Sequence, residues 1–207
     1  MNPMWEVEQA CFARGIALVC GADEAGAGPL AGPLCAGAVI LPPGLELPGL
    51  NDSKKVTPKR RDILFDQIKE QAVAWAVAWI EPEEIDEIDI LNARMKAMQL
   101  AIDQLDPKPE FALIDGNRDH GSRCAIETPH ELLIQGDGRS ASIAAASILA
   151  KVSRDRKMEE LEEIYPGYGF AKHKGYGTKA HYDALDALGP SPVHRKSFLV
   201  KWQEKRG

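Results

Sequence analysis

Residues 16–41 read IALVCGADEAGAGPLAGPLCAGAVIL, and they contain the clearest structural pattern in the sequence. Two short apolar runs, 16–20 and 34–41, stand on either side of a glycine-rich turn, a pattern typical of two buried strands. The acidic pair Asp23 and Glu24 lies in the predicted turn, just after the first run. The stretch therefore predicts a sheet that carries carboxylates at the end of a strand.

The segments that follow predict further helices and strands. Thr57 and Pro58 predict a helix start, because threonine favours the cap and proline the first helical position, and this helix extends to about Gln71. Its core-facing residues are predicted to be Ile63, Leu64, Phe65 and Ile68. We further predict a strand at 72–80, a helical region from 81 to about 105, strands at 111–114 and 132–134, and a long helix from about 139 to 164. This order predicts an α/β fold in which helices pack on a mixed sheet.

The composition is that of a folded protein with one domain, or one domain and a small appendage. The chain has 207 residues, of which 44% are hydrophobic and 27% charged, and this excludes a disordered tail or a collagen-like repeat. Its longest apolar run, at 72–80, is too short to span a bilayer, and no signal peptide is apparent. The four cysteines show no CxxC spacing. We therefore expect a cytoplasmic protein with no membrane partner.

Charge is distributed unevenly along the chain. The net charge is −6, but residues 1–150 hold 13 basic and 23 acidic side chains, whereas residues 151–207 hold 12 basic and 8 acidic ones. Such unevenness fits ordinary solvated surface, and it also fits a carboxylate site beside an anion-binding surface. We predict a catalytic domain at 1–166 and a small, basic, helical or irregular substrate-binding extension at 167–207.

Carboxylates follow three predicted strands: Asp23 with Glu24, then Asp115, then Asp137. A single aspartate in such a place is usually a turn former, but three turns together favour a shared site. Four converging carboxylates repel one another and gain protons unless cations balance them. Hard oxygen ligands select Mg²⁺ or Mn²⁺, and a pair of such ions roughly 3.5–4 Å apart can cleave phosphodiesters.

The first turn also allows a nucleotide-binding interpretation. Residues 26–31 fit the dinucleotide pattern GxGxxG/A after a strand. Against it, the next segment is predicted as a strand, so no helix N-terminus is available for a pyrophosphate, and Asp23 and Glu24 would repel the phosphates.

A zinc site is a further alternative. His120, Cys124 and His130 are zinc-ligand types, but three ligands at unmatched spacing in a loop are weak evidence for zinc.

Several segments together resemble those of bacterial ribonuclease HII. They are GADEAGAGPLAGPLCAGAVIL, LNDSKK, ALIDGNR, GDGRSASIAAASILAKVSRDR and YPGYGFAKHKGYGTKAHYDAL…GPSPVHRKSF, in order from about Cys20 to Phe198. The resemblance implies an RNase H-like fold and a divalent-metal endonuclease. Such enzymes cut RNA in RNA–DNA hybrids and at single ribonucleotides in duplex DNA, leaving 5′-phosphate and 3′-hydroxyl ends.

The resemblance also implies roles for the four acids. Asp23 would bridge two Mn²⁺ or Mg²⁺ ions, Glu24 and Asp115 would complete one site, and Asp137 the other. The ions would activate the attacking water and stabilise the leaving 3′-oxygen.

For substrate binding, the resemblance implies that Tyr176 packs against the ribose at the RNA–DNA junction and helps to sense its 2′-hydroxyl. It further implies phosphate contacts from Asn51, Ser53, Lys54, Lys151 and Arg154. The family's glycine-arginine-glycine loop reads Gly26-Ala27-Gly28 here, so the arginine is missing. Amide contacts of the loop can survive this change, because the two glycines still allow close approach.

We therefore expect a monomeric ribonuclease HII acting on RNA–DNA hybrids and on duplexes that contain ribonucleotides. The tail KWQEKRG shows no motif for a protein partner. The alternative is a catalytically weak nucleic-acid binder that keeps the fold. The intact acidic quartet argues against this alternative, because a binder has no need of carboxylates near phosphates.

Overall fold

The computed structural model describes residues 3–204, which form a five-stranded sheet with helices on both faces. The strands are β1 (Val19–Ala25), β2 (Leu34–Ile40), β3 (Ala74–Ile80), β4 (Phe111–Asp115) and β5 (His130–Leu133). Their order in the sheet is β3-β2-β1-β4-β5. β1 runs antiparallel to β2 and parallel to β4, while β2 and β3 are antiparallel and β4 and β5 parallel. The α/β class and the mixed sheet are confirmed.

Eight α-helices accompany the sheet within residues 3–204. They are α1 (Glu6–Ala13), α2 (Pro58–Gln71), α3 (Pro82–Ile88), α4 (Ile90–Asp103), α5 (Ala141–Ile164), α6 (Phe170–His173), α7 (Lys179–Leu188) and α8 (Val200–Glu204). Short 3-10 turns occupy Pro3–Trp5, Gly136–Gly138 and Lys196–Phe198. None of these helices is both long enough and apolar enough to cross a membrane.

The long helix α5 lies directly on β1 and β2. A Cβ atom at Gly21 of β1 would be 2.2 Å from the backbone nitrogen of Ile143, and one at Gly37 of β2 would be 2.5 Å from the carbonyl oxygen of Ala146. The absence of a side chain at Gly21 and Gly37 and the small residues of α5 together allow this close approach. The contact determines where the N-terminal end of α5, close to Asp137, lies relative to the sheet.

The opposite face of the sheet packs against α3 and α4. Met95, Met98 and Ile102 of α4 are buried there, as their helical spacing predicts. Ala22 of β1 and Ile114 of β4 point to the same side and join this cluster. The sheet is therefore buried on both faces, and ligands can reach it only at its edges and strand ends.

The first strand differs from its prediction. β1 ends at Ala25 and not at residue 20, because β2 pairs with it as far as Ala25 and β4 as far as Ala22. Asp23 and Glu24 therefore lie in the last residues of a strand and not in a turn. This gives their backbones the fixed geometry of a central strand.

Three smaller differences concern a break in a helix, the start of a strand and the exposure of one side chain. The helical region at 81–105 is two helices, because Asp89 adopts φ +68° and its side chain caps α4. β5 begins at His130, before the predicted residue 132. In α2, which begins at Pro58 as predicted, Ile63 is 41% exposed and does not face the core.

The residues after Gly167 pack against the loop that joins β1 to β2. Leu30 donates its backbone N–H to the carbonyl of Gly175 (2.8 Å) and accepts from the N–H of Arg195 (2.8 Å). This part of the chain is mostly helical and adds no strand to the sheet. The division at 166/167 stays a prediction, and residues 1–2 and 205–207, including the last three residues of the tail KWQEKRG, lie outside the described part.

Candidate active site

The acidic residues Asp23, Glu24, Asp115 and Asp137 come together at one edge of the sheet. β1 and β4 are parallel neighbours with Ala22 opposite Ile114, so the next residues, Asp23 and Asp115, lie side by side. The turn that carries Asp137 is tied to β4, because the N–H of Gly136 donates to Oδ1 of Asp115 (2.7 Å). Sheet register and one hydrogen bond therefore assemble carboxylates that are far apart in sequence.

The proximity of these carboxylates shows in their proton affinities. Asp23 is 8% exposed, and burial together with the charges of Glu24, Asp115 and Asp137 raises its pKa well above the ordinary value. Burial and the charges of Asp115 and Asp52 raise the pKa of Asp137 to about 6. The cluster thus carries more negative charge than the protein alone can neutralise.

Two cationic side chains offset part of this charge. Arg94 of α4 forms an ion pair with Glu24, with Nε 2.8 Å from Oε1, but burial still raises the pKa of Glu24 above its usual value. Partial burial disfavours the charged form of Lys54, yet the carboxylates around it raise its pKa; they are Asp23, Asp52, Asp137 and Asp115. Lys54 therefore stands among the acids as their counter-cation.

The donor set fits a hard divalent cation. It consists of carboxylate oxygens, and the buried Oε2 of Glu24 has no hydrogen-bond partner among residues 3–204. Asp23 and Asp115 each engage one oxygen with a backbone N–H, from Glu24 and Gly136 respectively (both 2.7 Å). No three Asp, Glu, His or Cys side chains in the described residues already surround one point closely enough to hold a metal, so binding an ion requires the carboxylates to turn toward it.

The zinc alternative is not supported. His120 and His130 both contact Asp119, at 2.6 Å and 3.2 Å, and they form no metal-binding group with Cys124 in the described part of the chain. The dinucleotide alternative also fails, because strand β2 and not a helix follows the turn at 26–31.

A cavity of about 270 Å³ adjoins the acids and collects most of the other predicted site residues. Its lining contains Asp23, Glu24, Gly26, Ala27, Gly28, Ser53, Lys54, Lys151, Arg154 and Tyr176. Asp115 and Asp137 line a neighbouring cavity of about 420 Å³, which also includes Lys54. Of the predicted site residues, Asn51 lines neither cavity; it is exposed, and its Oδ1 accepts from the N–H of Asp52 (2.8 Å).

The turn at 26–28 faces Tyr176 across the first cavity. Gly26 has φ +96°, and a Cβ atom there would be 2.0 Å from Nε of Arg154, so only glycine fits. A Cβ atom at Gly28 would be 3.7 Å from the ring of Tyr176, which is 46% exposed. The ring of Tyr176 and the glycine-flanked backbone of the turn thus border one opening beside the carboxylates.

Arg154 was predicted to contact phosphate, but in the structure it is buried and bonds to backbone carbonyls. Its side chain is 1% exposed and donates to the carbonyls of Pro33 (3.0 Å), Lys174 (3.0 Å) and Ala31 (3.2 Å). These bonds hold the loop after β1 to the segment before Tyr176. Lys151 is half-buried and pairs with Asp155 (Nζ–Oδ1 2.7 Å), whereas Lys54 stays exposed.

Sequence reasoning missed a second buried arginine. Arg195 donates to the carbonyls of Gly26 (2.7 Å), Ala27 (3.1 Å) and Gly32 (2.8 Å), and burial, followed by the nearby charge of Arg154, lowers its pKa to about 9. It lies in the segment predicted to be a basic substrate-binding extension, and no local signal separates a buried arginine from a solvated one. Arg94 was also missed, because its ion-pair partner Glu24 is distant in sequence.

Comparison with known proteins places these features in a family. The family described as Ribonuclease HII matches residues 20–203. A relative named Ribonuclease HII from Dechloromonas aromatica (strain RCB) is 56% identical over 184 residues, which cover 88% of this chain and 91% of the relative.

Solved structures agree with the fold. The ribonuclease H2 from Pyrococcus horikoshii OT3 superposes with a TM-score of 0.75 at 26% identity, covering 91% of this chain and 98% of that one. Bst-RNase HIII in complex with Mn²⁺ superposes with a TM-score of 0.63 at 22% identity, covering 83% and 63% of the two chains, and at this identity it supports the fold alone.

Proposed function

Since this chain belongs to the ribonuclease HII family and is a ribonuclease H, we propose that it cuts both the RNA strand of RNA–DNA hybrids and single ribonucleotides in duplex DNA. The products would carry 5′-phosphate and 3′-hydroxyl ends. The observation that carries the proposal is the acidic edge formed by Asp23, Glu24, Asp115 and Asp137 beside the cavity that Tyr176 borders.

We assign the four carboxylates to the binding of two divalent ions, Mn²⁺ or Mg²⁺. When bound, such ions supply Lewis acidity for the attacking water and for the leaving 3′-oxygen. The raised pKa values of Asp23 and Asp137, caused by burial and by neighbouring carboxylates, and the unpartnered Oε2 of Glu24 support this assignment, because a bound cation would favour the charged carboxylates and pair with that oxygen. Arg94 orients Glu24 through their ion pair.

The substrate would lie across the 270 Å³ cavity. Tyr176 would pack its ring on the ribose, and the backbone of Gly26 to Gly28 would contact the 2′-hydroxyl, which distinguishes RNA from DNA. Ser53, Asn51 and the exposed ammonium of Lys54 would contact phosphates next to the scissile bond. Lys54 would then interact with both the acids and the substrate. When metal ions neutralise the carboxylates, its ammonium group can pair with a phosphate.

Phosphate contacts extend away from the acids. A groove of about 700 Å³ is lined by Lys151, Lys172, Lys174, Arg61 and Arg156 together with acidic partners of these side chains. Lys151 and Lys172 are the members that we assign to a duplex backbone. The protein would act in the cytoplasm as a monomer.

The test is cleavage of a duplex that carries one ribonucleotide, with Mn²⁺, Mg²⁺ or EDTA, beside an all-DNA duplex of the same sequence. We expect a cut at the ribonucleotide with either metal, no cut with EDTA, and no cut in the all-DNA duplex. Asp23→Asn serves as the inactive control. Tight binding of the duplex without any metal-dependent cut would instead favour the nucleic-acid binder.

A further inference from the structure

Three histidines cluster in the part of the chain after Gly167. His173 ends α6, His181 lies in α7, and His194 lies in the loop after α7. The ring of His181 is fully buried and that of His194 is 3% exposed. Both rings pack against the ring of Phe170, with a centroid distance of 5.6 Å in each case. Neither histidine is among the site residues described above.

The hydrogen bonds of this cluster determine which ring nitrogens carry protons. The backbone N–H of Ser191 points at Nδ1 of His194 (2.9 Å), and because an amide can only donate, this Nδ1 is an acceptor. The proton of neutral His194 is therefore on Nε2, which lies 3.0 Å from Nε2 of His181. Nε2 of His181 must accept, so its own proton is on Nδ1.

The Nδ1–H of His181 donates to the backbone carbonyl of Tyr176 at 3.0 Å. A chain of hydrogen bonds, all donated in the same direction, thus runs from the Ser191 N–H through both imidazoles to the carbonyl of Tyr176. The same carbonyl accepts from the N–H of Thr178 (2.8 Å), and the N–H of Tyr176 donates to the carbonyl of His173 (2.9 Å).

Burial favours the neutral form of both rings. Burial, followed by the nearby His181 ring, lowers the pKa of His194 to about 4, and burial lowers that of His181. The titratable groups that face them are His173, stacked on His181 with centroids 4.4 Å apart, and Tyr168, 5.1 Å from His194. No charged partner is needed to keep the two protons where the hydrogen bonds require them.

We propose that His194 and His181 are positioning residues, a two-imidazole relay that holds Tyr176 in register with the turn at 26–28. A rigid ring with one donor and one acceptor at fixed positions suits this task, because it fixes the location of the Tyr176 backbone relative to the Ser191 backbone. The inference rests on the proposed function of Tyr176 at the ribose. The relay would affect cleavage only through Tyr176.

Two substitutions at His194 separate the two ends of its ring. His194→Gln puts an amide near the place of Nε2 and can still donate to His181, whereas His194→Asn reaches only the place of Nδ1 and can still accept from Ser191. We expect His194→Asn to lower kcat/KM on the one-ribonucleotide duplex by about tenfold, as for loss of one hydrogen bond, and His194→Gln to change it much less. Thermal unfolding of both variants checks that each is folded.

The Tyr176→Ala background decides whether the effect passes through Tyr176. We expect His194→Asn to add no further loss there, because the group that the relay positions is gone. Equal losses in the Asn and Gln variants, or a loss that persists in Tyr176→Ala, would overturn the relay. If Tyr176→Ala alone left cleavage unchanged, the ribose contact and the functional part of the relay would both be wrong.

NMR of the full-length wild-type chain with ¹⁵N-labelled histidine tests the relay without any activity. We expect Nδ1–H in His181 and Nε2–H in His194, both unchanged between pH 6 and 8. The reverse tautomers, or protonated rings in that range, would contradict the relay even if every variant failed to fold. With the expected tautomers and a normal Tyr176→Ala defect, a fully active His194→Asn would overturn the relay and leave the proposed function standing.

Discussion

At the residue scale, Ala27 is the point at which this chain departs from the glycine-arginine-glycine loop that the resemblance to ribonuclease HII implies. The carbonyl of Ala27 accepts from Arg195 Nη1 (3.1 Å), so the backbone of the turn is held whatever the side chain. A side chain that ends at Cβ cannot reach a phosphate. The missing charge-assisted contact is therefore separable from the metal site.

We expect Ala27→Arg to speed cleavage at a single ribonucleotide by about tenfold, since a charge-assisted hydrogen bond contributes roughly 1.5–3 kcal/mol. Ala27→Gln, which is long but uncharged, is the matched control and should give little gain. Paired kinetics across a metal titration provide the measurement. Equal rates for the wild-type and Ala27→Arg proteins would mean that arginine is dispensable here, and a shifted metal optimum would mean that the turn shapes the metal site.

Asp137 carries the second residue-scale prediction, which concerns stability without metal. Its pKa in the folded protein, about 6, is above the ordinary 3.8, so the stability that the protonated form contributes is lost as pH rises toward and through 6. In Asp137→Asn the side chain cannot ionise, so this loss of stability at higher pH does not occur. At pH 8 in EDTA, we expect the melting temperature of the variant to exceed that of wild type by about 2–4 °C for each kcal/mol of stability gained. At pH 4 the two melting temperatures should be closer.

The same variant should have almost no cleavage activity, because it lacks a carboxylate that we propose as a metal ligand. Asp66→Asn, on the exposed side of α2, removes one negative charge without these effects and is the control. Near-normal turnover by Asp137→Asn would remove Asp137 from the quartet. A lower melting temperature at pH 8 in EDTA would mean that the carboxylates do not repel one another as described.

At the element scale, the start of α5 depends on a buried carboxylate from α1. Oε1 of Glu8 accepts from Oγ of Ser140 (2.6 Å) and from the N–H of Ser142 (2.9 Å), while Ser140 caps the helix by accepting from the N–H of Ile143 (3.1 Å). Glu8 precedes the region that the family model matches, so its role follows from the structure alone. A negative charge at a helix N-terminus also complements the helix dipole.

We expect Glu8→Ala to lower stability by about 2–4 kcal/mol, because two buried donors lose their acceptor. Cleavage should fall as well, since Ser140 is only three residues from Asp137. Denaturant unfolding measures the first effect, with Glu6→Ala on the exposed side of α1 as the control. A Glu8→Ala protein as stable as the Glu6→Ala protein would show that α5 is held by its packing on the sheet alone.

The contact between α5 and β1 gives a second element-scale prediction. The Cβ atom of Gly21→Ala would be 2.2 Å from backbone atoms of both Ser142 and Ile143, and a helix backbone cannot move aside as a side chain can. We expect a loss of more than about 3 kcal/mol, or no folded protein. Gly138→Ala, whose Cβ meets nothing within 4 Å, should unfold like wild type, and comparable losses in both variants would contradict the close packing.

At the scale of the whole molecule, basic side chains surround an acidic centre. Lys54 and Lys172 are both exposed and line different cavities on the proposed substrate path, whereas Lys201 in α8 lines neither of those cavities. Truncation after Gly167 is a poor test of this path, because it would also remove Arg195 from the turn at 26–28. Single lysine substitutions keep that support.

We expect Lys54→Ala and Lys172→Ala each to reduce the slope of log affinity against log salt concentration by about 0.9, as for one lost phosphate contact on duplex DNA. Binding is measured with Ca²⁺ in place of Mg²⁺ so that no cleavage interferes. Lys201→Ala is the control and should keep the wild-type slope. An unchanged slope for Lys172→Ala would confine the substrate path to the side of Lys54.

The elements were largely predictable, because strong local patterns specify them. Apolar runs with glycine or proline at their ends predicted the strands, and the Thr-Pro start and helical spacing predicted α2 and α4. Strand ends were less predictable, because pairing partners decide how far a strand continues. β1 includes Asp23 and Glu24 because β2 pairs with both of them, whereas the pairing of β1 with β4 ends at Ala22.

The α/β class followed from the order of the predicted elements, and the family and the positions of the four acids followed from local motifs, so all of these could be predicted from the sequence. Only the tertiary structure decided what lies beside those motifs. Arg154 and Arg195 read as ordinary basic residues, yet burial turns their guanidinium groups toward the carbonyls of residues 26–33, and His181 and His194 form a directed pair through contacts across 13 residues. Such partners are brought together by packing, and side-chain type alone does not reveal whether a charge will meet solvent, a phosphate or a backbone carbonyl.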